Sequence, residues 1–109
     1  MKALRPAEYR ARWSEADERD GRVQLLDVRE DWELEASALP NALHVPMQQV
    51  PESLDRLDRD RPLVVMCRSG GRSAQVVAFL EREGYVDVYN LSGGINAWSE
   101  EVDPDVPAY

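Results

Sequence analysis

Pro62-Leu63-Val64-Val65-Met66-Cys67 is an uncharged, partly β-branched run that passes directly into Arg68-Ser69-Gly70-Gly71-Arg72-Ser73. An apolar run of that length without alternation reads as a strand buried on both faces, and such strands belong to parallel sheets covered by helices. Behind the loop, Ala74 to Glu83 carries Val76, Val77 and Leu80 as an apolar side and Glu81-Arg82-Glu83 as an exposed one. The pattern predicts a helix that Gly84 stops. A strand, a glycine-rich turn and a helix in immediate succession commit the chain to α/β architecture.

The rest of the chain repeats that alternation. Pro6 suits the first turn of a helix predicted over residues 7–16, with Tyr9 and Trp13 four apart on one face. Residues 23–28 read as a second buried strand, followed by a short helix over 30–36. Leu43-His44-Val45-Pro46 is a strand stopped by proline, and residues 51–57 read as a helix. Residues 86–91 form another strand, Ser92-Gly93-Gly94 a turn, and residues 95–100 a short helix. Asp103 to Tyr109 is a tail that Pro104 and Pro107 keep extended. Strands alternating with helices imply parallel pairing through right-handed crossovers. Ligand sites in such folds lie at the carboxyl ends of the strands, where both Asp27-Val28-Arg29 and Cys67 fall.

Composition narrows the function. At ~100–200 residues per domain, the 109 residues read as one domain, with 103–109 as its tail. A formal charge of −8 argues against nucleic acid and anionic membrane as partners. No stretch approaches the ~20 apolar residues of a membrane span, and the charged first residues do not resemble a secretory signal, so a cytoplasmic location is expected. The single cysteine forbids an internal disulfide, and with a single histidine it excludes a Cys/His zinc site.

That cysteine sits where a thiol becomes reactive. Adjacent glycines let backbone N–H groups curl toward one centre, and the following helix adds the positive end of its dipole. Arg68 and Arg72 add formal charge. A free thiol of pKa ~8.5 is only ~3% ionised at neutral pH, whereas helix N-termini and nearby cations lower such values to ~3.5–7.5. Cys67 is therefore expected to be a nucleophile in an anion cradle built from Arg68, Ser69, Gly70, Gly71, Arg72 and Ser73. The plainer alternative is a buried structural cysteine at the end of a core strand.

Three segments, Leu25-Leu26-Asp27-Val28-Arg29-Glu30, Cys67 to Ser73 and Leu91-Ser92-Gly93-Gly94-Ile95-Asn96-Ala97-Trp98, together resemble the rhodanese (thiosulfate sulfurtransferase) family. The resemblance implies a three-layer α/β fold around a parallel sheet of about five strands. It implies sulfane-sulfur transfer through a Cys67 persulfide, with no cofactor. The donor would be thiosulfate or a similar small anion, paired by Arg68 and Arg72. The acceptor would be external, because no second thiol exists in the chain: cyanide, a thiol, or a thioredoxin-like or other sulfur-acceptor protein. Cysteine-dependent phosphatases look similar but place one residue more in the loop, where four lie here between Cys67 and Arg72. Two other readings use the same framework: a sulfur-relay or redox-sensing module acting on a partner, and a non-catalytic binding module. Asp27 is expected to bond groups of the loop and Arg29 to form a structural ion pair, the alternative being an ordinary charged strand end. Trp32 is weighed as a pocket-mouth residue against a core one, and Trp98 is expected in the core. The family often carries Gly-His-Ile-Pro-Gly-Ala where this chain has Ser37-Ala38-Leu39-Pro40-Asn41-Ala42, so Ala38 replaces the usual histidine. His44 is read as structural.

Overall fold

The computed structural model describes residues 1–109. Its strands are β1 (Lys2–Leu4), β2 (Gln24–Asp27), β3 (Leu43–His44), β4 (Leu63–Met66) and β5 (Val88–Leu91). Its α-helices are α1 (Pro6–Arg12), α2 (Glu15–Arg19), α3 (Asp31–Ala36), α4 (Gly71–Arg82) and α5 (Gly94–Glu101). The strands form one sheet in the order β1-β5-β4-β2-β3, with every neighbouring pair parallel.

The uncharged run of β4 is the centre of this sheet, and Val64, Val65 and Met66 are fully buried. Alternation divides it between two cores. Leu63, Val65 and Cys67 face Val76, Val77 and Leu80 of α4 together with Val50 and Leu57. Val64 and Met66 face Tyr9 of α1 and Ile95 and Trp98 of α5. Helices thus cover both faces, giving the expected three layers. Trp98 is a core residue, 2% exposed, while Trp32 is 63% exposed and belongs to neither core.

Four differences from the sequence reading have local causes. The first strand, β1, went unread, because three residues with a lysine carry no periodicity. It exists by pairing with β5, Lys2 beside Tyr89 and Leu4 beside Leu91. The helix expected over 7–16 is two helices. Trp13 turns extended and Ser14 starts α2, its Oγ accepting from the Asp17 N–H while Asp17 accepts from the Ser14 N–H. That reciprocal cap is a helix-start signal spelled out in the sequence. The helix expected over 51–57 is a pair of tighter 3-10 turns, Met47–Glu52 and Leu54–Arg56, with Pro51 inside the first. The tail is not extended throughout, since the Val106 N–H bonds the Asp103 carbonyl and makes a turn around Pro104.

The start of α5 is seated against the end of β4. Ile95 N–H donates to the Cys67 carbonyl at 3.0 Å and Asn96 N–H to the Arg68 carbonyl at 3.2 Å. Gly94 makes this approach possible. Its φ is +57°, and a Cβ there would lie 2.5 Å from the Arg68 carbonyl carbon. Gly94→Ala is expected to lower stability by at least ~1–3 kcal/mol through backbone conformation alone, more if the loop is displaced. Thermal melting checks this, and an unchanged midpoint would show that the close approach is not a constraint.

Candidate active site

Cys67 follows the last residue of β4, and the chain turns at once into α4. Gly70 adopts φ +109°, a left-handed conformation that a side chain would strain, and this lets α4 begin at Gly71. The turn aims donors at sulfur. Gly70 N–H lies 3.1 Å from Cys67 Sγ and Ser73 N–H 3.4 Å, with the Ser73 hydroxyl at 3.3 Å. Burial pushes the thiol up; hydrogen bonds from Ser73 and from the Gly70 and Ser69 amides outweigh it and hold Cys67 below the ordinary thiol range. Cys67 is itself 1% exposed.

The loop is pinned from β5. Asn90 Nδ2 donates to the Gly70 carbonyl at 3.1 Å, and Asn90 Oδ1 accepts the Ser73 hydroxyl proton at 2.5 Å. The first bond sets which way the amide faces. In the thiol state the Cys67 S–H therefore donates to Ser73, and Ser73 to Asn90.

The arginines divide sharply. Arg72 was expected to be free to pair with a donor. Its guanidinium is instead engaged in a two-pronged bond with Glu33, at 2.7 and 2.8 Å. Glu33 is a buried α3 carboxylate, and Arg72 holds it down to about 2. Arg68 is exposed and has no carboxylate partner, and its guanidinium lies 4.8 Å from the centre of the Tyr109 ring.

Asp27 was expected to bond groups of the loop, and the structure corrects this. Its carboxylate faces Arg29, taking Nη2 at 2.7 Å, Nε at 3.0 Å and the Arg29 N–H at 3.1 Å. The Arg29 side chain is wholly buried, and also donates to the Ser37 carbonyl at 2.8 Å and to the Tyr109 hydroxyl at 3.0 Å. The ion pair expected of Arg29 is present, and it ties β2 to the segment after α3. His44 Nε2 is 2.6 Å from the Arg29 carbonyl, a supporting contact away from Cys67. Ala38, where the family often has histidine, is exposed.

Sequence reasoning missed Glu33, Asn90 and Tyr109. Nothing in their neighbourhoods along the chain marks them, because each meets the site only through the sheet or the tail. The arrangement offers a buried sulfur nucleophile, amides placed to receive negative charge, and one unpaired cation. Two hydrogen-bond networks support it, one joining Asn90 to Gly70 and Ser73 and one joining Arg72 through Glu33 and Tyr109 to the Asp27–Arg29 pair.

These features define an α/β protein with a cysteine loop at the carboxyl edge of a parallel sheet. The family description "Rhodanese-like domain" matches residues 11–101, and the chain belongs to that family. A putative sulfurtransferase, YtwF of Bacillus subtilis, is 41% identical over 87 residues, covering 80% of this chain and 84% of its own. The rhodanese-like/PpiC domain-containing protein 12 of Arabidopsis thaliana, described as chloroplastic, is 41% identical over 91 residues. That match takes in 80% of this chain, which spans only 30% of the length of the plant protein. The crystal structure of a rhodanese-like domain protein from Staphylococcus aureus superposes with a TM-score of 0.79 at 35% identity, covering 90% of this chain and 91% of that one. The similarities support an enzyme of the rhodanese type. No helix is long and apolar enough to cross a membrane.

Two outcomes test the supporting ion pairs. Asp27→Asn leaves the Arg29 charge buried and unpaired, and is expected to cost ~3–5 kcal/mol in denaturant unfolding. A loss under ~1 kcal/mol would contradict the geometry. For Glu33, the folded-state value of about 2 lies below the ordinary 4.5. Its contribution is therefore complete above pH 4.5 and disappears as pH falls toward about 2. The stability gap between the parent and Glu33→Gln should narrow over that window, and a constant gap would refute the pairing.

Proposed function

We propose that this protein is a sulfurtransferase that carries sulfane sulfur on Cys67 as a persulfide, taken from thiosulfate or a similar small anionic donor. The observation that carries the reading is the convergence of the Gly70 and Ser73 amides on the Sγ of the only cysteine, whose next residue in the chain, Arg68, is exposed and has no carboxylate partner. The Cys67 thiolate attacks the outer sulfur of thiosulfate. A sulfur–sulfur bond forms at Cys67 as the one to the sulfonate sulfur breaks, and sulfite leaves with that electron pair. An acceptor nucleophile then takes the terminal sulfur and returns the thiolate. One transfer becomes two easier steps.

Each residue has a physical task in this scheme. The amides of residues 68–73 receive the sulfur-borne charge without reorganising. Arg68 meets the donor's sulfonate oxygens with a charge-assisted hydrogen bond. Arg72, held by Glu33, contributes chiefly by fixing α4 and its amides. Asp27 and Arg29 support the scaffold. No second thiol lies within these residues to resolve the persulfide, so the acceptor comes from outside: cyanide, a small thiol, or a cysteine of a partner protein. Nucleic acid and membrane have no place in the scheme, which takes its sulfur from a small anion, in the cytoplasm, without metal or organic cofactor.

Intact mass spectrometry after incubation with thiosulfate is expected to show a gain of one sulfur atom, absent in Cys67→Ser. Arg68→Ala is expected to require about tenfold more thiosulfate for half-maximal labelling. A chain that alkylates readily at Cys67 yet gains no sulfur would overturn the reading.

A further inference from the structure

The segment after α5 folds back so that Tyr109 meets α5 at Asn96 and α3 at Glu33. Val106 and Tyr109 pack against the second core. The Tyr109 N–H donates to Asn96 Oδ1 at 3.2 Å, and Asn96 Nδ2 donates to the Tyr109 carbonyl at 3.4 Å. The Tyr109 hydroxyl donates to Glu33 Oε1 at 2.7 Å and accepts from Arg29 Nη1 at 3.0 Å. The residue is therefore held at its backbone and at its hydroxyl, with the Trp32 ring nearly perpendicular to its own, centroids 6.1 Å apart. Two guanidiniums lie over the Tyr109 ring: Arg29, already paired with Asp27, at 5.6 Å from its centre, and Arg68, nearer at 4.8 Å and without a carboxylate.

Arg68 needs such a surface more than its neighbours do. Arg72 is paired with Glu33 and Arg29 with Asp27, so both are oriented by carboxylates that also cancel their charge. Arg68 has neither, and a long exposed side chain without a partner samples many rotamers. An aromatic face orients a guanidinium without neutralising it, which a carboxylate cannot do.

We propose that Tyr109 is a positioning residue for the anionic substrate. Its ring holds Arg68 at the loop as an oriented, uncompensated cation, so that an approaching sulfur donor of negative charge is met there. This rests on the proposed sulfurtransferase reading only for the identity of the anion.

The test compares two alkylating reagents of nearly equal size at Cys67, the sole thiol. Iodoacetate is an anion and iodoacetamide is neutral; the Cys67 thiolate displaces iodide from either. Their rate ratio reports the local field, because thiolate population and access cancel. Tyr109→Leu is expected to lower the iodoacetate-to-iodoacetamide ratio about two- to fivefold, the range of a single exposed cation–ring contact. It should raise the thiosulfate concentration for half-maximal persulfidation equally, with the maximal rate unchanged. Tyr109→Phe keeps the ring but loses the hydroxyl bonds to Glu33 and Arg29, so its ratio should lie between those of the parent and Tyr109→Leu, and a ratio no higher than that of Tyr109→Leu overturns the part given to the ring. In Arg68→Ala the further change Tyr109→Leu should add nothing. An unchanged ratio in Tyr109→Leu, or losses that add in the double variant, overturns the proposal. So does equal acceleration of both reagents, which would make the segment a mere cover. A measurement on the parent alone guards against a variant that does not fold: relaxation of the Arg68 Nε–H should show it more ordered than exposed Arg82, and equal mobility overturns the proposal. If thiosulfate adds no sulfur to the parent while the alkylation ratio still falls in Tyr109→Leu, the sulfurtransferase reading fails and this one stands.

Discussion

The site depends on two hydrogen bonds that involve no side chain. Ile95 and Asn96, the first amides of α5 after Gly94, hold the carbonyls of Cys67 and Arg68. At the end of a strand those carbonyls have lost their ladder partners and would otherwise need water or a distorted turn. Because α5 satisfies them, the chain can leave β4 abruptly, pass through the left-handed Gly70 and start α4 with its free amides pointing back at sulfur. The N-terminus of one helix thus fixes the turn that aims the N-terminus of another. The two glycine motifs, far apart in the chain, are halves of one joint: Gly94 supplies the close approach and Gly70 the reversal.

Around that joint the charges are sorted by whether they are compensated. The chain is acidic overall, yet charges beyond a Debye length of ~8 Å are largely screened at physiological salt. What an anion meets is decided at contact distance. Asp27 neutralises Arg29 and Glu33 neutralises Arg72, and both pairs serve to lock α3, β2 and α4 together. Arg68 stays positive because its partner is a ring. Net charge therefore predicts neither the sign nor the strength of the field at Cys67.

How much of this was legible in the sequence follows from the range of each interaction. The β4–loop–α4 unit is local: an apolar run, adjacent glycines and an amphipathic helix are written consecutively, and the turn that aims the Gly70 and Ser73 amides at Cys67 was readable there. The family resemblance supplied the fifth strand in number but not in place, since β1 is three residues long and is stabilised only by its neighbour β5. The split between α1 and α2 was written in Ser14 and Asp17 and passed over. Glu33, Asn90 and Tyr109 were not legible at all. A carboxylate on α3 looks solvated until the sheet brings Arg72 to it, and a tyrosine in a proline-bearing tail has no periodicity to interpret. For the same reason Arg72 was assigned to the donor: its charge is visible in the sequence, while the carboxylate that claims it lies 39 positions away.

Ser73 shows how the rigid cradle still accommodates a change of charge. Its hydroxyl carries one proton and faces two acceptors, Asn90 Oδ1 at 2.5 Å and Cys67 Sγ at 3.3 Å. While Cys67 is a thiol, Asn90 takes that proton. A thiolate is the stronger acceptor, so ionisation turns the hydroxyl toward sulfur and leaves Asn90 Oδ1 short of a donor, because the Gly70 carbonyl prevents the amide from flipping. The cost of that orphaned oxygen opposes ionisation, whereas the Gly70 and Ser73 amides favour it at no reorganisation. A persulfide would move the charge outward by one sulfur–sulfur bond, ~2 Å, away from Ser73. The hydroxyl would then return to Asn90, and in the proposed transfer Arg68 would meet the charge instead. The donors that lower the Cys67 pKa are thus the same ones that hold the turn, and only the Ser73 hydroxyl has to change partner when the charge appears.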